Sequence, residues 1–278
     1  MKHRASLLLL ALAVAAPVGA QETPYFVTYD HHMEEPGYLE LSFNPVYGVP
    51  KGGNKSVATS MEFEYGTRGW WTTALYLDGQ KTFRDSTLFT GYRIENRFRL
   101  LMHEHWINPV FYVEYTDVNG ADKIMKEIVG FDSWRDLVAS NNEARSEKER
   151  EIETKLILSH NGHGWNVAGN WIAEKNLAGS PWEFGYALGA NRPLALAASP
   201  VECSFCRENF SAGVEVYGGL GESRQITVRG TSHYIAPCVA WNLPNGLTLR
   251  LSPAFGVTGN SNRSIVRFGI SYEMPVFR

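Results

Sequence analysis

The stretch from Val266 to Met274 reads VRFGISYEM and alternates strictly between two kinds of side chain. One side carries only large apolar groups, and the other carries charged or small ones. The first set is Val266, Phe268, Ile270, Tyr272 and Met274, and the second is Arg267, Gly269, Ser271 and Glu273. A period of two is typical of a β-strand whose two faces meet different surroundings. The stretch therefore predicts a strand with one apolar face and one polar face.

The same alternation recurs along most of the chain and predicts twelve strands. Most of these runs are longer than the roughly 5–6 residues usual for strands of soluble proteins. They match the about 9–11 residues that a tilted strand needs to cross a bilayer. The predicted strands are 37–45, 57–66, 70–78, 87–102, 106–117, 150–160, 164–175, 182–192, 209–218, 231–242, 246–257 and 263–276.

The lengths of the connections alternate as well. Tight turns follow the second, fourth, sixth and tenth runs, and longer loops follow the odd-numbered runs; 193–208 is the exception. Short turns at one end and long loops at the other are typical of an outer-membrane barrel with both termini in the periplasm. The predicted fold class is therefore all-β: a single antiparallel transmembrane β-barrel of about 12 strands over residues 37–278. A soluble sandwich is the alternative, but it explains neither the strand lengths nor the loop pattern.

The N-terminus has the three parts of a secretory signal peptide. Met1 to Arg4 is basic, Leu7 to Ala15 is apolar, and Val18-Gly19-Ala20 supplies small residues before Gln21. We expect residues 1–20 to be cleaved, which removes Lys2 and Arg4 and takes the formal charge from -3 to -5. Residues 21–36 would then form an N-terminal segment that could plug the barrel. The near balance of charge gives no overall field that would recruit nucleic acid.

The two faces predict two environments, with lipid outside and a charged lumen inside. Buried charge must be paired or neutralised, so the polar face predicts either a wet lumen or a cross-linked polar plug. The carboxylate excess would favour cations, and Arg93, Arg97 and Arg99 offer a strip that could bind anions. The predicted lumen and solute-binding residues are Glu62, Glu64, Arg93, Glu95, Arg97, Arg99, Glu114, Glu153, Lys155, Glu183, Arg250 and Arg267.

Two further clusters carry reactive side chains. His31, His32 and Glu34 are candidate ligands for a divalent metal. Adjacent residues of an extended chain point to opposite sides, so a polar cap at the barrel rim is the alternative. Cys203-x-x-Cys206 predicts a local disulfide in an exported chain. The sequence indicates no cofactor.

Residues 119–149 are the one stretch with a helical pattern. Ile124, Ile128 and Phe131 recur at helical spacing, and a dense charge run follows from Arg145 to Arg150. The pattern predicts a helical loop insert. It could cap the barrel and bind a ligand or partner, or remain a solvated surface loop.

The chain ends in Pro275-Val276-Phe277-Arg278. This end resembles the terminal strand of Gram-negative outer-membrane proteins, which closes on an aromatic residue recognised by the assembly machinery. Here Phe277 is the penultimate residue. The resemblance implies localisation to the cell outer membrane of a Gram-negative-type bacterium and a lipid bilayer as partner.

Three functions are compatible with these features. The first is a narrow channel or transporter for small polar or charged solutes. The second is a non-conducting structural or surface-interaction barrel, and the third is an outer-membrane hydrolase. Ser159 and His160 are adjacent, so their side chains oppose each other, and no HExxH, GxSxG or Gly-rich phosphate loop is present. The sequence therefore predicts no catalytic residues, and it leaves the oligomeric state open.

Overall fold

The computed structural model describes residues 23–124, 128–131, 137–197, 199 and 203–276. The predicted signal peptide, Gln21 and Phe277 lie outside the described residues. All twelve predicted strands are present, so the all-β barrel prediction is confirmed. A two-residue strand (β10) extends one hairpin. The strands are β1 Tyr38–Val49, β2 Ser56–Arg68, β3 Trp71–Thr82, β4 Thr87–Arg99, β5 Asn108–Asn119, β6 Lys148–Gly162, β7 Trp165–Asn176, β8 Trp182–Pro193, β9 Phe210–Glu222, β10 Gln225–Ile226, β11 His233–Asn242, β12 Leu247–Gly256 and β13 Ser264–Pro275.

The sheet closes on itself because its first and last strands pair. Tyr38 lies opposite Pro275 and Val49 opposite Ser264, all neighbouring strands are antiparallel, and β8 pairs with β9. Closure satisfies the backbone groups of every strand, which a hydrocarbon environment requires. Both described chain ends lie at the same end of the barrel, which the topology of this class assigns to the periplasm.

The two strand faces are arranged as the alternation predicted. Ile94, Phe111 and Trp171 point outward and are exposed, while their neighbours Glu95, Tyr112 and Ile172 point inward and are buried. Most of the aromatic residues near strand ends gather at the periplasmic end of the outer face, as in the interfacial belts of membrane barrels. This periplasmic aromatic belt comprises Trp70, Trp71, Trp106, Trp165, Trp241 and Tyr272.

The insert between β5 and β6 contains a helical segment, as predicted, but not at the residues whose spacing indicated it. Ile124, Ile128 and Phe131 do not share one helix, because Val129 forms a β-bridge with Gly185 and Gly130 forms one with Gly221. Among the described residues of the insert, a short helix, α1, spans Asn141–Ala144. The insert folds into the lumen: Ile128 and Leu137 are buried in one cluster with barrel-wall residues such as Tyr217.

Small residues on the barrel wall make room for this insertion. Gly185 and Gly219 lie opposite each other on β8 and β9. A side chain on Gly185 would collide with the Ile128 carbonyl, and one on Gly219 would collide with the Gly130 carbonyl. The wall is therefore shaped to hold the backbone of residues 128–130 against it. No helix in the described ranges has the length and apolar character needed to cross a membrane.

A charge placed on the outer face tests the lipid environment. Ile94 lies near the middle of β4, whereas Leu100 follows the end of that strand, and both are exposed. We expect Ile94→Arg to lower the free energy of unfolding in vesicles by about 2–4 kcal/mol. Leu100→Arg, the matched control near the interface, should cost about 0–1 kcal/mol. Urea titration of vesicle-inserted protein measures both, and equal costs would contradict a membrane-spanning outer face.

Candidate functional site: the barrel lumen

The described part of the N-terminal segment, residues 23–36, lies inside the lumen and is held by its backbone. The Glu215 carboxylate on β9 accepts hydrogen bonds from the N–H groups of Phe26 (3.1 Å), Val27 (2.8 Å) and Thr28 (2.7 Å). On β7, Asn170 accepts from the Tyr29 N–H at 2.7 Å and donates to the Tyr29 carbonyl at 2.8 Å. These bonds satisfy backbone groups that burial would otherwise leave without partners.

Tyr29 brings the segment into contact with the charged wall. Its hydroxyl donates to Glu95 at 3.2 Å. The Lys155 ammonium lies 4.4 Å from the Tyr29 ring centre and 4.0 Å from the Tyr112 ring centre. Lys155 also pairs with Glu153 at 3.0 Å. Two aromatic faces and a carboxylate thus compensate a buried ammonium group.

The segment turns at the periplasmic mouth, where two histidines stack. The rings of His31 and His32 are 4.5 Å apart, so they do not point to opposite sides as an extended chain predicted. His31 Nδ1 lies 2.6 Å from Ser159 Oγ, and its Nε2 lies 3.7 Å from Glu104. His32 Nδ1 lies 2.8 Å from Asp30.

The two histidines have opposite pKa shifts. Burial first, and then the charge of His32, lowers the pKa of His31. Burial also acts to lower the pKa of His32, but the hydrogen bond and the charge of Asp30 outweigh it and raise that pKa. At neutral pH His31 is therefore uncharged, and its Nδ1 shares a hydrogen bond with the Ser159 hydroxyl.

The order Ser159, His31, Glu104 resembles the hydrogen-bonded chain of a serine hydrolase, but its surroundings differ. Ser159 and His31 are both buried, and neither lines a cavity of the described lumen. Ser159 Oγ also accepts the His31 N–H at 3.0 Å. Both bonds join the wall to the N-terminal segment, so the contact serves to fix that segment.

The candidate metal ligands have other partners in the structure. One ring nitrogen of His31 faces Ser159 and one of His32 faces Asp30. Within the described ranges, no three or more His, Cys, Asp and Glu side chains are grouped so as to hold a metal ion.

Ion pairs cross-link the arginines of the lumen. Arg93 binds Asp78 at 2.6 Å and Glu114 at 3.2 Å. Arg97 binds Glu64, and it also binds Glu95 at 2.9 Å. Each guanidinium is thus held between two carboxylates. Arg93 and Arg97, two members of the predicted anion-binding strip, are thus engaged in ion pairs, and the binding of anions by this strip stays a prediction.

The described part of the lumen contains a periplasmic cavity and an extracellular cavity. The periplasmic cavity measures about 180 Å³ and lies between the N-terminal segment and the wall near β1 and β2. The extracellular cavity measures about 520 Å³ and lies between the insert and the wall from β4 to β8. Ile124 lines both cavities, so it stands at the boundary between them.

The predicted lumen residues divide between these cavities. Five line the periplasmic cavity: Glu62, Glu64, Arg97, Arg250 and Arg267. Four line the extracellular cavity: Arg93, Glu114, Glu153 and Glu183. Glu95 and Lys155 are buried in the ion-pair network, and Arg99 is half-buried near the histidines; these three line neither cavity.

The extracellular cavity is strongly acidic. Its described lining carries nine carboxyl groups, from Asp122 and eight glutamates, against the cations Arg93 and Lys123. Burial first, and then the charge of Asp78, raises the pKa of Asp122 to about 7. The Lys123 ammonium donates to the Ala139 carbonyl at 2.8 Å and to Thr82 at 3.3 Å.

Strand register joins the two cavities through one row of carboxylates. In the described strands, nine glutamates lie opposite one another from strand to strand, interrupted only by Ala74 on β3. We call this set the glutamate row. Its members in order around the barrel are Glu273, Glu40, Glu64, Glu95, Glu114, Glu153, Glu174, Glu183 and Glu222.

The glutamate row climbs along the barrel because the strands of a closed barrel are tilted. Glu40 is near the periplasmic start of β1, and Glu114 is at the middle of β5. Glu183 and Glu222 are at the extracellular ends of β8 and β9. The row therefore forms a spiral of carboxyl groups from one mouth of the barrel to the other.

Several residues that organise the lumen were not predicted from the sequence. Asp78, the buried partner of Arg93, has an inward position in the alternation of β3 and could have been found from it. Asn170 and the segment residue Tyr29 are uncharged, so a search for charged lumen residues does not find them. The role of Glu215 as a backbone acceptor depends on residues 26–28, far away in the sequence.

The structure joins Cys203 and Cys206 in a disulfide, while Cys238 is free and buried. The disulfide lies in the long periplasmic connection between β8 and β9, outside the lumen. It therefore has no part in the two cavities.

Comparison with protein-family models and with curated proteins gives no match. Among solved structures, the chain is similar to an outer membrane channel from Pseudomonas putida F1, with 10% identity and a TM-score of 0.57 over 88% of this chain and 98% of that one. It is also similar to the NanC porin, with 9% identity and a TM-score of 0.50 over 84% of this chain and 100% of that one. At these identities the likeness concerns the fold. The chain is an outer-membrane β-barrel.

The Glu215 contacts predict how firmly the N-terminal segment is held. Glu215→Ala removes a charged acceptor shared by three N–H groups, and a hydrogen bond to a charged group contributes about 1.5–3 kcal/mol. We expect amide hydrogen exchange of residues 26–28 to accelerate by roughly tenfold to a hundredfold. Glu222→Ala, at the end of the same strand, is the control. Equal protection in both variants would contradict the assigned role of Glu215.

The His31 environment predicts a pH dependence. The pKa of His31 is lower in the folded state than its ordinary value near 6.5. The folded state therefore binds fewer protons than the unfolded state, and its stability falls as the pH falls below that value. Below that pH, release of the segment should become easier by up to about tenfold per pH unit, until the pH reaches the lowered pKa. The raised pKa of His32 acts the other way: its pairing with Asp30 is fully present at low pH and is lost as the pH rises through that pKa.

His31→Asn keeps an acceptor for Ser159 but cannot be protonated. We expect this variant to lose the acid-induced increase in amide exchange of residues 29–32, measured relative to wild type at each pH. His163→Asn, in an exposed turn, is the control and should behave like wild type. An acid response that persists in His31→Asn would show that another group is responsible.

Proposed function

We propose that this protein is a narrow, cation-selective channel of the outer membrane that passes small polar or charged solutes through its lumen. The glutamate row carries the proposal, because it places carboxyl groups from one mouth of the barrel to the other and touches both cavities. Rings of Asp or Glu side chains give other pores their preference for cations. The lumen is partly filled, so the proposed path is narrow.

The pairing of the arginines supports a cation preference. Arg93 and Arg97 are each compensated by two carboxylates, and Lys155 is paired with Glu153. Additional carboxylates such as Glu174 and Glu183 line the extracellular cavity. A solute entering from outside therefore meets a net negative surface first.

A closed barrel is the second candidate, and one observation favours it. Ile124 separates the two cavities, and the N-terminal segment occupies the lumen on the periplasmic side. If this arrangement is permanent, the protein serves a structural role or binds a partner at its surface.

Single-channel recording distinguishes the two candidates. The chain from residue 21 to residue 278 is refolded, checked for heat-modifiable gel migration, and inserted in a planar bilayer under a potassium chloride gradient. We expect steady current steps whose reversal potential indicates a cation preference. We also expect larger steps when residues 21–36 are removed. A folded barrel that carries no current in either form would overturn the channel proposal in favour of the closed barrel.

Glu174→Gln tests the glutamate row directly. A unit charge a few ångström from a passing ion contributes on the order of 1 kcal/mol in water. We therefore expect the permeability ratio of cations to anions to fall by roughly twofold to fivefold. Glu208→Gln, which removes the same charge from the periplasmic connection outside the lumen, should leave that ratio unchanged. A ratio that responds equally to both substitutions would mean that net charge, and not the row, sets selectivity.

A further inference from the structure

The connection between β8 and β9, residues 194–209, is unusual for the end of the barrel where it lies. Neighbouring turns at this end, such as 163–164 and 243–246, are short, whereas this one is long. Its described part contains the Cys203–Cys206 disulfide and a short 3-10 helix, Arg207–Asn209. Asn209 donates to the Cys203 carbonyl at 2.6 Å and to the Ser204 carbonyl at 3.2 Å. The turn around the disulfide is therefore a braced structure.

This braced turn packs on the outer surface of the barrel. Trp241 of β11 faces outward, since its neighbours Ala240 and Cys238 alternate with it and are buried. The Phe205 ring lies 4.7 Å from the Trp241 ring, and the Trp241 indole N–H donates to the Ser204 carbonyl at 2.7 Å. Phe210 stacks on Trp241 at 5.6 Å. Phe205 is thus fixed at the level of the periplasmic aromatic belt.

The connection also follows the barrel rim on its other side. Leu196 lies against the β6–β7 turn, because a side chain on Gly164 would collide with it. The Arg192 guanidinium, at the end of β8, lies 5.3 Å from the ring of Trp165 in the aromatic belt. The described residues at both ends of the connection therefore lie beside the belt.

Its apolar side chains are unusually exposed. Phe205 is 75% exposed, Leu196 64% and Leu194 53%. The turn at 243–246 carries Pro244 and Asn245 at its exposed positions instead. These exposed apolar groups lie along one rim of the barrel, Phe205 beside Trp241 and Leu196 beside Gly164, and exposed apolar surface of this kind marks an interaction site. Here the surface is continuous with the lipid-facing wall of the barrel.

We propose that the 194–209 connection inserts Phe205, Leu194 and Leu196 into the periplasmic leaflet of the outer membrane, at the boundary between headgroups and acyl chains, and that the Cys203–Cys206 disulfide holds it there. Aromatic and apolar groups with neighbouring cations are stable at this depth. Arg192 and the exposed Arg207 lie where they can meet lipid phosphates. The partner is thus the phospholipid leaflet that already surrounds the barrel.

Depth-dependent quenching tests this insertion in the intact, folded chain. A small fluorescent amino acid replaces Phe205, and the protein is reconstituted in phosphatidylcholine vesicles with or without bromine on the acyl chains. We expect bromolipid to quench this probe several-fold more than the same probe at Asn245, an exposed position of the neighbouring turn. Iodide in the buffer should show the reverse order. Strong iodide quenching at position 205 without bromolipid quenching would overturn the proposal.

Two additional measurements separate the alternatives. If a second copy of the chain covers this surface, the fluorescence will change with the protein-to-lipid ratio and not with bromine, which also overturns the proposal. In Cys203→Ala/Cys206→Ala, we expect weaker bromolipid quenching at position 205 while heat-modifiable migration is retained. Unchanged quenching in this variant would overturn the role assigned to the disulfide.

Discussion

Every charged group inside a barrel wall that is surrounded by hydrocarbon needs a partner inside that wall. This requirement organises the lumen. Arg93 and Arg97 are each placed between two carboxylates, and Lys155 lies between aromatic faces beside Glu153. Glu215 is compensated in another way, by three backbone N–H groups of the N-terminal segment. Without that segment, Glu215 would lose these donors, and the same lumen would be wetter and wider.

Register gives the remaining glutamates their common path. A residue on one strand lies opposite a defined residue on the next, and the tilt of the strands turns a row of such residues into a spiral. Glu40 and Glu222 are distant in sequence and lie at opposite mouths, yet register links them through the glutamates in between. The proposed preference for cations is thus a property of the whole sheet and not of one pocket.

The sequence was sufficient to predict the strands, their faces and the closed fold, because few folds other than a membrane barrel keep a strict period of two over such long runs. Local patterns failed where tertiary contacts decide the structure. Ile124 and Ile128 have helical spacing, but the close contact of the insert with the barrel wall gives Val129 and Gly130 β-bridges instead of a helix. Adjacent His31 and His32 stack because the segment turns at the mouth. The acceptor role of Glu215 could not be predicted from the sequence, because its donors are backbone N–H groups, which every residue except proline carries.

The pairing of β1 with β13 also determines the order in which the protein can be completed. The N-terminal segment precedes β1, and its acceptors Asn170 and Glu215 lie on β7 and β9, well over a hundred residues later. These contacts can form only after most of the wall has been made, and contacts of such long range are slow to form. The segment can take its place only against a wall that is nearly complete. In the finished protein, the chain thus encircles its own beginning.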